Sequence, residues 1–245
     1  MCGIAGYFGK KNISEQIIKN TLATMKNRGP DFSNYLQFNF KNKLNLYFLH
    51  SRLSIIDLNK RSNQPFKIGN DIIIFNGEIY NYIELRENLI KKKIKLSTNS
   101  DTEVLLQYYK LYGEDCLSFF EGMWSFAIFN LNSKKLFLAR DRFAEKPLYF
   151  LKENDGCFFG SETKFIKKLK NEKIEINKKK LNTYLSFGYK SITKDRESYF
   201  KDVYSLLGSE KITINEKLDF SLKKYWEPKI QEDNKIDTLS AVKKI

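Results

Sequence analysis

The chain of 245 residues is short of several things at once: it has three Cys, four Pro and a single His. Cys2, Cys116 and Cys157 are odd in number and far apart, which speaks against a disulfide framework and against any close-spaced cysteine metal motif. A reduced, cytoplasmic setting is the resulting expectation, with no metal in the site. One histidine means that any cysteine–histidine pair has to use His50. Long apolar runs are missing as well. The uncharged stretch 123–131 falls far short of the ~20 residues needed to cross a bilayer, so no membrane partner is expected. Residues 1–9 lack the basic leader and extended apolar core of a signal peptide.

Negative charge is also in deficit: Lys and Arg total 43 against 29 Asp and Glu, a net +14. Such an excess invites a nucleic-acid reading. Only seven of the 43 are Arg, however, and the lysines are dispersed. The densest stretch, 164–180, holds eight Lys with Glu172, Glu175 and one aromatic ring, Phe165. A single-strand binder interleaves stacking rings with its charges, so a nucleic-acid partner is disfavoured. Lys, Asn and Ile are abundant together, as A+T-rich codons would make them, and the basic excess reads as solvated surface. Core material is ample: 42% of the chain is apolar, with 20 Phe and 14 Tyr. At ~150 residues per domain, the length predicts one large domain or one domain with an appendage.

Residues 4–9 are apolar with glycines on either side and read as a buried strand. The stretch 13–27, with Ile17, Ile18, Leu22 and Met25 apolar and Ser14 as cap, predicts a helix. Arg28-Gly29-Pro30-Asp31 is a turn. Strands are expected at 44–54 and 72–80. A helix is expected at 81–92, with Lys91, Lys92 and Lys93 at the negative end of its dipole. Ser100-Asp101-Thr102-Glu103 has the form of a capping box, opening a helix that runs to Gly113; 116–121 reads as a short helix. Four strands follow, at 123–131, 135–142, 148–152 and 157–161, with turns at 132–133 and 154–156. Helices at 162–169 and 178–187 and a strand at 209–214 complete the prediction. A boundary falls near Trp226-Glu227-Pro228, after which 231–244 is polar and then begins a helical pattern. Grouped strands flanked by helices give an α+β pattern of mostly antiparallel sheets under outer helices.

Cys2 carries the sharpest chemical signal. With Met1 removed, one residue would hold a thiol of reference pKa ~8.5 and a free α-amine of ~7.7–8, so the amine could accept the thiol proton. A nucleophile with its own base is a known route to covalent catalysis. Gly3, Ala5 and Gly6 leave room beside it for a substrate. Taken alone, Cys2 is as readily an incidental or lipid-modified second-position residue.

Four further motifs accompany it: His50-Ser51-Arg52-Leu53-Ser54-Ile55-Ile56-Asp57 at a strand end, Phe75-Asn76-Gly77-Glu78-Ile79-Tyr80-Asn81-Tyr82 between strand and helix, Ser100-Asp101-Thr102-Glu103-Val104 at a helix start, and Arg140-Asp141-Arg142-Phe143 running into Lys146-Pro147-Leu148-Tyr149. Together with Met1-Cys2-Gly3-Ile4-Ala5-Gly6, this set resembles the N-terminal glutaminase domain of glutamine-hydrolysing asparagine synthetases. These are class II glutamine amidotransferases of the N-terminal-nucleophile (Ntn) hydrolase type. The resemblance extends over residues 2–228, with the motifs in the family's order.

The resemblance implies a four-layer α/β/β/α sandwich of two antiparallel sheets. It implies that Cys2 attacks the side-chain amide of L-glutamine and forms a glutamyl thioester, releasing ammonia before water frees glutamate. Asn76, through its side-chain amide, and Gly77, through its backbone N–H, match the family's oxyanion hole, a device whose loss costs ~10²–10³ in rate in a well-studied protease. Read locally, Asn76-Gly77 is alternatively a type I′ hairpin turn, although the helical stretch after it speaks against a return strand. Arg52 would grip the α-carboxylate with its fork, unless it pairs structurally with Asp57. Asp101 would hold the α-ammonium and, compatibly, favour the dipole of its own helix. Glu78 would help fix the ammonium end, or is an acid in a helix's first turn. Leu53, Ser54, Ile55 and Ile56 would line the pocket. His50 is expected to be structural, on the same strand face as Arg52. Cys116 and Cys157 are expected in the core, and Arg140 and Asp141 as a structural or interdomain ion pair.

Two departures from the family pattern matter. Ala144 stands where the family motif has Gly, at a cost in strain if φ is positive there. The Ser-Gly-Gly-x-Asp-Ser loop of the ATP-pyrophosphatase half does not occur in the sequence. The expectation is therefore a glutaminase domain over 2–228 with no cofactor of its own. Residues 229–245 would be a linker and the start of a synthetase domain, where ATP and Mg bind and ammonia amidates aspartate. A sugar or another carboxylate is the alternative acceptor; a stand-alone glutaminase and a non-catalytic Ntn-like basic binding module are the alternative readings, and a homodimer is compatible with each. A retained Met1 would lock the α-amine into a peptide bond and block its role as base.

Overall fold

Strands that are apolar at every position need cover on both faces. A computed structural model, describing residues 1–188 and 195–229, shows how that cover is arranged. In chain order its elements are β1 (Gly3–Gly9), α1 (Glu15–Met25), β2 (Phe32–Asn39), β3 (Asn45–Arg52), β4 (Phe66–Ile68), β5 (Asp71–Ile79), α2 (Tyr82–Lys91), α3 (Asp101–Tyr112), β6 (Gly122–Asn130), β7 (Lys135–Arg140), β8 (Tyr149–Glu153), β9 (Gly156–Gly160), α4 (Thr163–Lys170), α5 (Lys178–Phe187), β10 (Val203–Ser205), β11 (Glu210–Ile214) and β12 (Phe220–Lys224). One sheet has the order β10-β8-β9-β1-β3-β2 and the other β12-β11-β7-β6-β5-β4, each with six strands. Every pairing in them is antiparallel.

The two-residue period of a strand sorts the apolar side chains into layers. β1 sends Ile4 and Phe8 toward the facing sheet, and β5, β6 and β7 answer with Ile72 and Ile74, Ala127 and Phe129, and Leu136 and Leu138. The alternate residues of β1, Ala5 and Tyr7, pack under α1 and α4, against Ile18, Met25, Phe165 and Leu169. On the other side Ile73, Phe75, Phe126 and Ile128 pack under α2 and α3, against Leu85, Leu89, Val104 and Leu105. Three apolar layers between four structural layers make the expected α/β/β/α sandwich. Among the described residues no helix is long and apolar enough to cross a membrane.

Several details differ from expectation. β2 is an edge strand with no counterpart in the sequence reading; its polar residues are all exposed while its apolar ones are half-buried, and its pairing with β3 holds it extended. The short strands β4, β10 and β12 are likewise unexpected. The predicted helix at 116–121 is a 3-10 turn at Gly113–Ser118, begun where Gly113 ends α3. Ser14 precedes α1 as expected, yet its side chain makes no capping bond. The predicted polar and helical stretch 231–244 lies outside the described residues.

Phe129 tests the layer between the sheets. Fully buried, it meets Phe8 edge-on at a centroid distance of 5.0 Å. Phe129→Ala is expected to cost about 3–5 kcal/mol. The measurement is denaturant unfolding, with a lower midpoint and an unchanged slope.

Candidate active site

The inward-facing positions of the strands do not stop where the apolar residues do. On β3 the series Leu46, Phe48 continues to His50 and Arg52, and on β5 the series Ile72, Ile74 continues to Asn76 and Glu78. Cys2, two residues before Ile4, enters the same end of the sandwich. Cys2, Arg52, Leu53, Ile55, Ile56, Asn76, Gly77, Glu78 and Asp101 all line one cleft there. Ser54, expected among them, is not part of its wall, because its N–H donates to Asp31 Oδ2 at 2.7 Å and turns it away.

Cys2 Sγ lies against the Leu53 backbone, accepting from its N–H at 3.4 Å and reaching its carbonyl at 3.5 Å. Arg28 holds the Cys2 carbonyl from Nε at 2.9 Å and is itself paired with Glu162 at 3.1 Å. Burial pushes the Cys2 thiol above its ordinary pKa, against the Leu53 N–H, the N-terminal ammonium and Arg52. Burial pulls the Met1 ammonium down, helped by Arg28 and Lys146 and opposed by Cys2 and Asp31.

Arg52 is buried and fans out over a loop. One terminal nitrogen donates to Asn59 O at 3.2 Å and Asn63 Oδ1 at 2.7 Å; the other donates to Ile56 O at 3.3 Å and Asp57 O at 2.5 Å. All four acceptors are neutral. The alternative of an Arg52–Asp57 ion pair is thereby corrected, since Arg52 touches only the backbone carbonyl of Asp57. The Asp57 carboxylate takes the N–H groups of Asn59 at 3.1 Å and Asn99 at 2.7 Å, and Arg61 at 3.4 Å. Burial works upward on its pKa, but the bonds from Asn99, Ser62 and Asn59 and the charge of Arg61 outweigh it, to about 2. Among the described residues no carboxylate pairs with Arg52.

Asp101 opens α3. The predicted capping box is half present: Ser100 Oγ accepts from Thr102 N–H at 3.1 Å, but Glu103 does not reach back to Ser100. Its carboxylate instead takes the N–H and hydroxyl groups of Ser97 and Thr98, at 2.6–3.0 Å. This frees Asp101, whose Oδ2 accepts from Ile79 N–H at 3.2 Å and whose Oδ1 takes Ser100 Oγ at 3.4 Å. No cation faces it among the described residues. Burial pushes the carboxyl up to about 6, with Glu78 adding to the effect, against hydrogen bonds from Ile79, Thr102 and Ser100. The cleft thus holds one buried guanidinium and one buried carboxylate, each lacking a counter-ion. Their complement is a molecule bearing both an anionic and a cationic group.

Asn76 and Gly77 sit within β5, opposite Ser125 and Trp124 of β6, which corrects the hairpin-turn alternative. Glu78 is also a strand residue, opposite Met123, and not an acid in a helix's first turn. Asn76 is fully buried, yet among the described residues neither its amide nitrogen nor its oxygen has a partner. An unmet buried polar group costs about 1–3 kcal/mol. A Cβ on Gly77, at φ 157°, would lie 2.2 Å from the Met123 carbonyl, so only glycine brings this backbone so close to β6. His50 is fully buried, with Nε2 3.2 Å from Phe75 O, bridging β3 to β5. Burial lowers its pKa to about 3 and keeps it neutral. Cys116 and Cys157 are buried.

Other residues escaped the sequence reading. Gln64 braces the cleft, accepting from Phe75 N–H at 2.6 Å and donating to Thr102 Oγ1 at 3.2 Å. No periodic signal marks it. Arg140 and Asp141 do not form the expected ion pair; each bonds to backbone groups of the loop that follows. Ala144 in that loop has φ 59°, the left-handed conformation that glycine would adopt without strain.

A family profile for the glutamine amidotransferase domain matches residues 1–226. The chain is 36% identical to a putative glutamine-hydrolyzing asparagine synthetase 2 of Methanocaldococcus jannaschii, over 93% of this chain and 47% of that protein. It is 39% identical to glutamine-hydrolyzing asparagine synthetase 1 of Bacillus subtilis, over 92% of this chain and 35% of that protein. The chain therefore spans less than half the length of these curated relatives. Among solved structures, its fold is similar to that of the glutamine phosphoribosylpyrophosphate amidotransferase from B. subtilis, with a TM-score of 0.65, 17% identity, and coverage of 91% of this chain and 49% of that one. A structure described as the allosteric regulatory enzyme of purine biosynthesis matches at a TM-score of 0.64, with 16% identity and the same coverage. At these identities the structural likeness speaks to fold alone.

Asp101 gives a test that needs no substrate. A carboxyl raised to about 6 in the fold favours folding while protonated, and that stability is lost as pH rises through about 6. Asp101→Asn is expected to raise the unfolding free energy near neutral pH by about 1–3 kcal/mol. The gain should vanish below about pH 4, where the carboxyl is protonated in both states. Urea unfolding at the two pH values measures it.

Proposed function

The chain belongs to the glutamine amidotransferase domain family, and on that premise we propose that it hydrolyses L-glutamine to L-glutamate and ammonia, with Cys2 as nucleophile once Met1 has been removed. The observation that carries this reading is the pair of uncompensated buried charges, Arg52 and Asp101, in the cleft that contains Cys2. The α-carboxylate of glutamine completes Arg52 and the α-ammonium completes Asp101, with Glu78 on the same wall. The side-chain amide is then directed to Cys2.

The thiol, made less acidic by burial, needs a base. His50 cannot serve, since it is held by Phe75 O and kept neutral with a pKa near 3. The α-amine of a processed Cys2 takes the thiol proton, and Sγ bonds to the amide carbon. The carbonyl electrons move to oxygen, where the Asn76 amide and the Gly77 N–H receive the charge; the unpartnered state of Asn76 suits that role. Collapse of the adduct breaks the C–N bond, and the amine's proton leaves with ammonia. Water, deprotonated by the same amine, then attacks the thioester and returns the thiolate. While Met1 remains, the free amine sits one residue away from the thiol.

The destination of the ammonia is inferred from the relatives. Their names, and their length beyond the matched region, support a chain that forms the front of a glutamine-hydrolysing asparagine synthetase in the cytoplasm. ATP and Mg would serve a following domain that amidates aspartate.

The Met1-processed chain is expected to release glutamate from glutamine, with Cys2→Ala inactive; full release by that variant would overturn the proposal. Asn76→Ala is expected to lower kcat about 10²–10³-fold with little change in KM. Steady-state assays across pH should also show kcat/KM for glutamine falling as pH drops through about 6, as Asp101 loses its charge.

A further inference from the structure

The Arg140-Asp141 pair takes no part in the glutamine clamp, yet it organises the loop beside it. Arg140 donates to Lys146 O at 2.5 Å, to Ala144 O at 2.6 Å, and to Ser205 Oγ and Leu206 O at 3.1 and 2.5 Å. Asp141 accepts from the N–H groups of Phe143, Glu145 and Lys146 at 2.9–3.0 Å, and from Trp124 N–H at 3.2 Å. Lys146 is therefore held at both backbone groups, its N–H by Asp141 and its carbonyl by Arg140. Ala144 accepts a left-handed conformation within this loop.

What the loop presents is a buried cation. Lys146 is only 6% exposed and forms part of the cleft wall that contains Cys2. Among the described residues no carboxylate pairs with it. Its Nζ meets the Met1 thioether at 3.3 Å, a weak acceptor. A buried ammonium without a counter-ion is costly to keep, and this one lines the cleft that contains Cys2. The other charges near Cys2 and the N-terminus are accounted for. Arg28 is paired with Glu162, Asp31 is bonded to Ser54 N–H, and Arg52, Glu78 and Asp101 belong to the proposed glutamine clamp in the same cleft.

We propose that Lys146 is a positioning residue for the nucleophile: its ammonium favours the thiolate of Cys2 and a neutral N-terminal amine, and the Arg140-Asp141 pair fixes it in place. The inference rests on the glutaminase reading for its catalytic consequence, and on the cleft geometry alone for its effect on the thiol.

The test uses the full, Met1-processed chain and two charge-removing variants, Lys146→Met and Lys146→Gln, with Lys146→Arg as the rescue. Cys2 alkylation by iodoacetamide is followed against pH, and glutamine hydrolysis in parallel. In whichever neutral variant keeps the parent's circular dichroism and melting point, the alkylation midpoint should rise by about one pH unit. kcat near neutral pH should fall about tenfold with KM within about twofold. Lys146→Arg should return both toward the parent. An unchanged alkylation midpoint in a folded neutral variant overturns the proposal, as does a loss confined to KM. Alkylation reads the thiol without glutamine, so a shifted midpoint in a chain that hydrolyses no glutamine would sustain the role of Lys146 and overturn the glutaminase reading instead.

Discussion

The apolar layer shared by the two sheets is the constraint from which the rest follows. It fixes which face of each strand points inward, and at the end of the layer the same inward positions carry polar side chains. His50 and Arg52 on β3 and Asn76 and Glu78 on β5 are brought toward Cys2 by the rule that buries Phe48 and Ile74. A slip of one residue in the β1–β3 or β5–β6 register would send the whole set to the helix layers. Precision in the cleft is thus a property of sheet register, enforced by many ordinary apolar contacts at a distance.

The cleft itself opposes folding. Among the described residues Arg52 and Asp101 are buried without counter-ions, and the side-chain amide of Asn76 is buried without a hydrogen-bond partner. On the proposed function, each of these is an interaction that the substrate completes. The surroundings hold them open through neutral or backbone groups: the loop carbonyls around Arg52, the Ile79 N–H at Asp101, and Glu103, which caps residues 97 and 98 instead of the helix start. The three apolar layers supply the stability against which this strain is carried.

Much of this was legible in the sequence, and the limits have physical causes. β1, β5, β6 and β7 were legible because nine or fewer apolar residues bounded by Gly, Asn or Asp leave few alternatives to a buried strand. β2 was not, because it is polar and half exposed and owes its extension to β3. The motif residues of the cleft were legible through their resemblance to a family. Ser54 was carried along with its neighbours, and only the fold shows Asp31 turning it aside. Arg140 and Asp141 looked like an ion pair because they are adjacent. Arg140 is the last residue of β7 and Asp141 the first of the loop after it, and backbone groups of that loop take both side chains. Asp57, Gln64 and Glu103 act across loops, and no periodicity encodes such contacts.

Among the described residues the two open sheets have four edge strands, β10, β2, β12 and β4; residues 196–198 already bond to the outer side of β10, and the other three present backbone groups to another chain. Here β4 and β10 have three residues each, β2 turns Ser33, Asn34, Gln37 and Asn39 outward, and β12 ends in exposed Lys223 and Lys224. The lysine surplus thereby has a colloidal role. At a net charge of +14 copies of the chain repel one another, and the edge strands are too short, too polar or too charged to template growth of a continuous sheet.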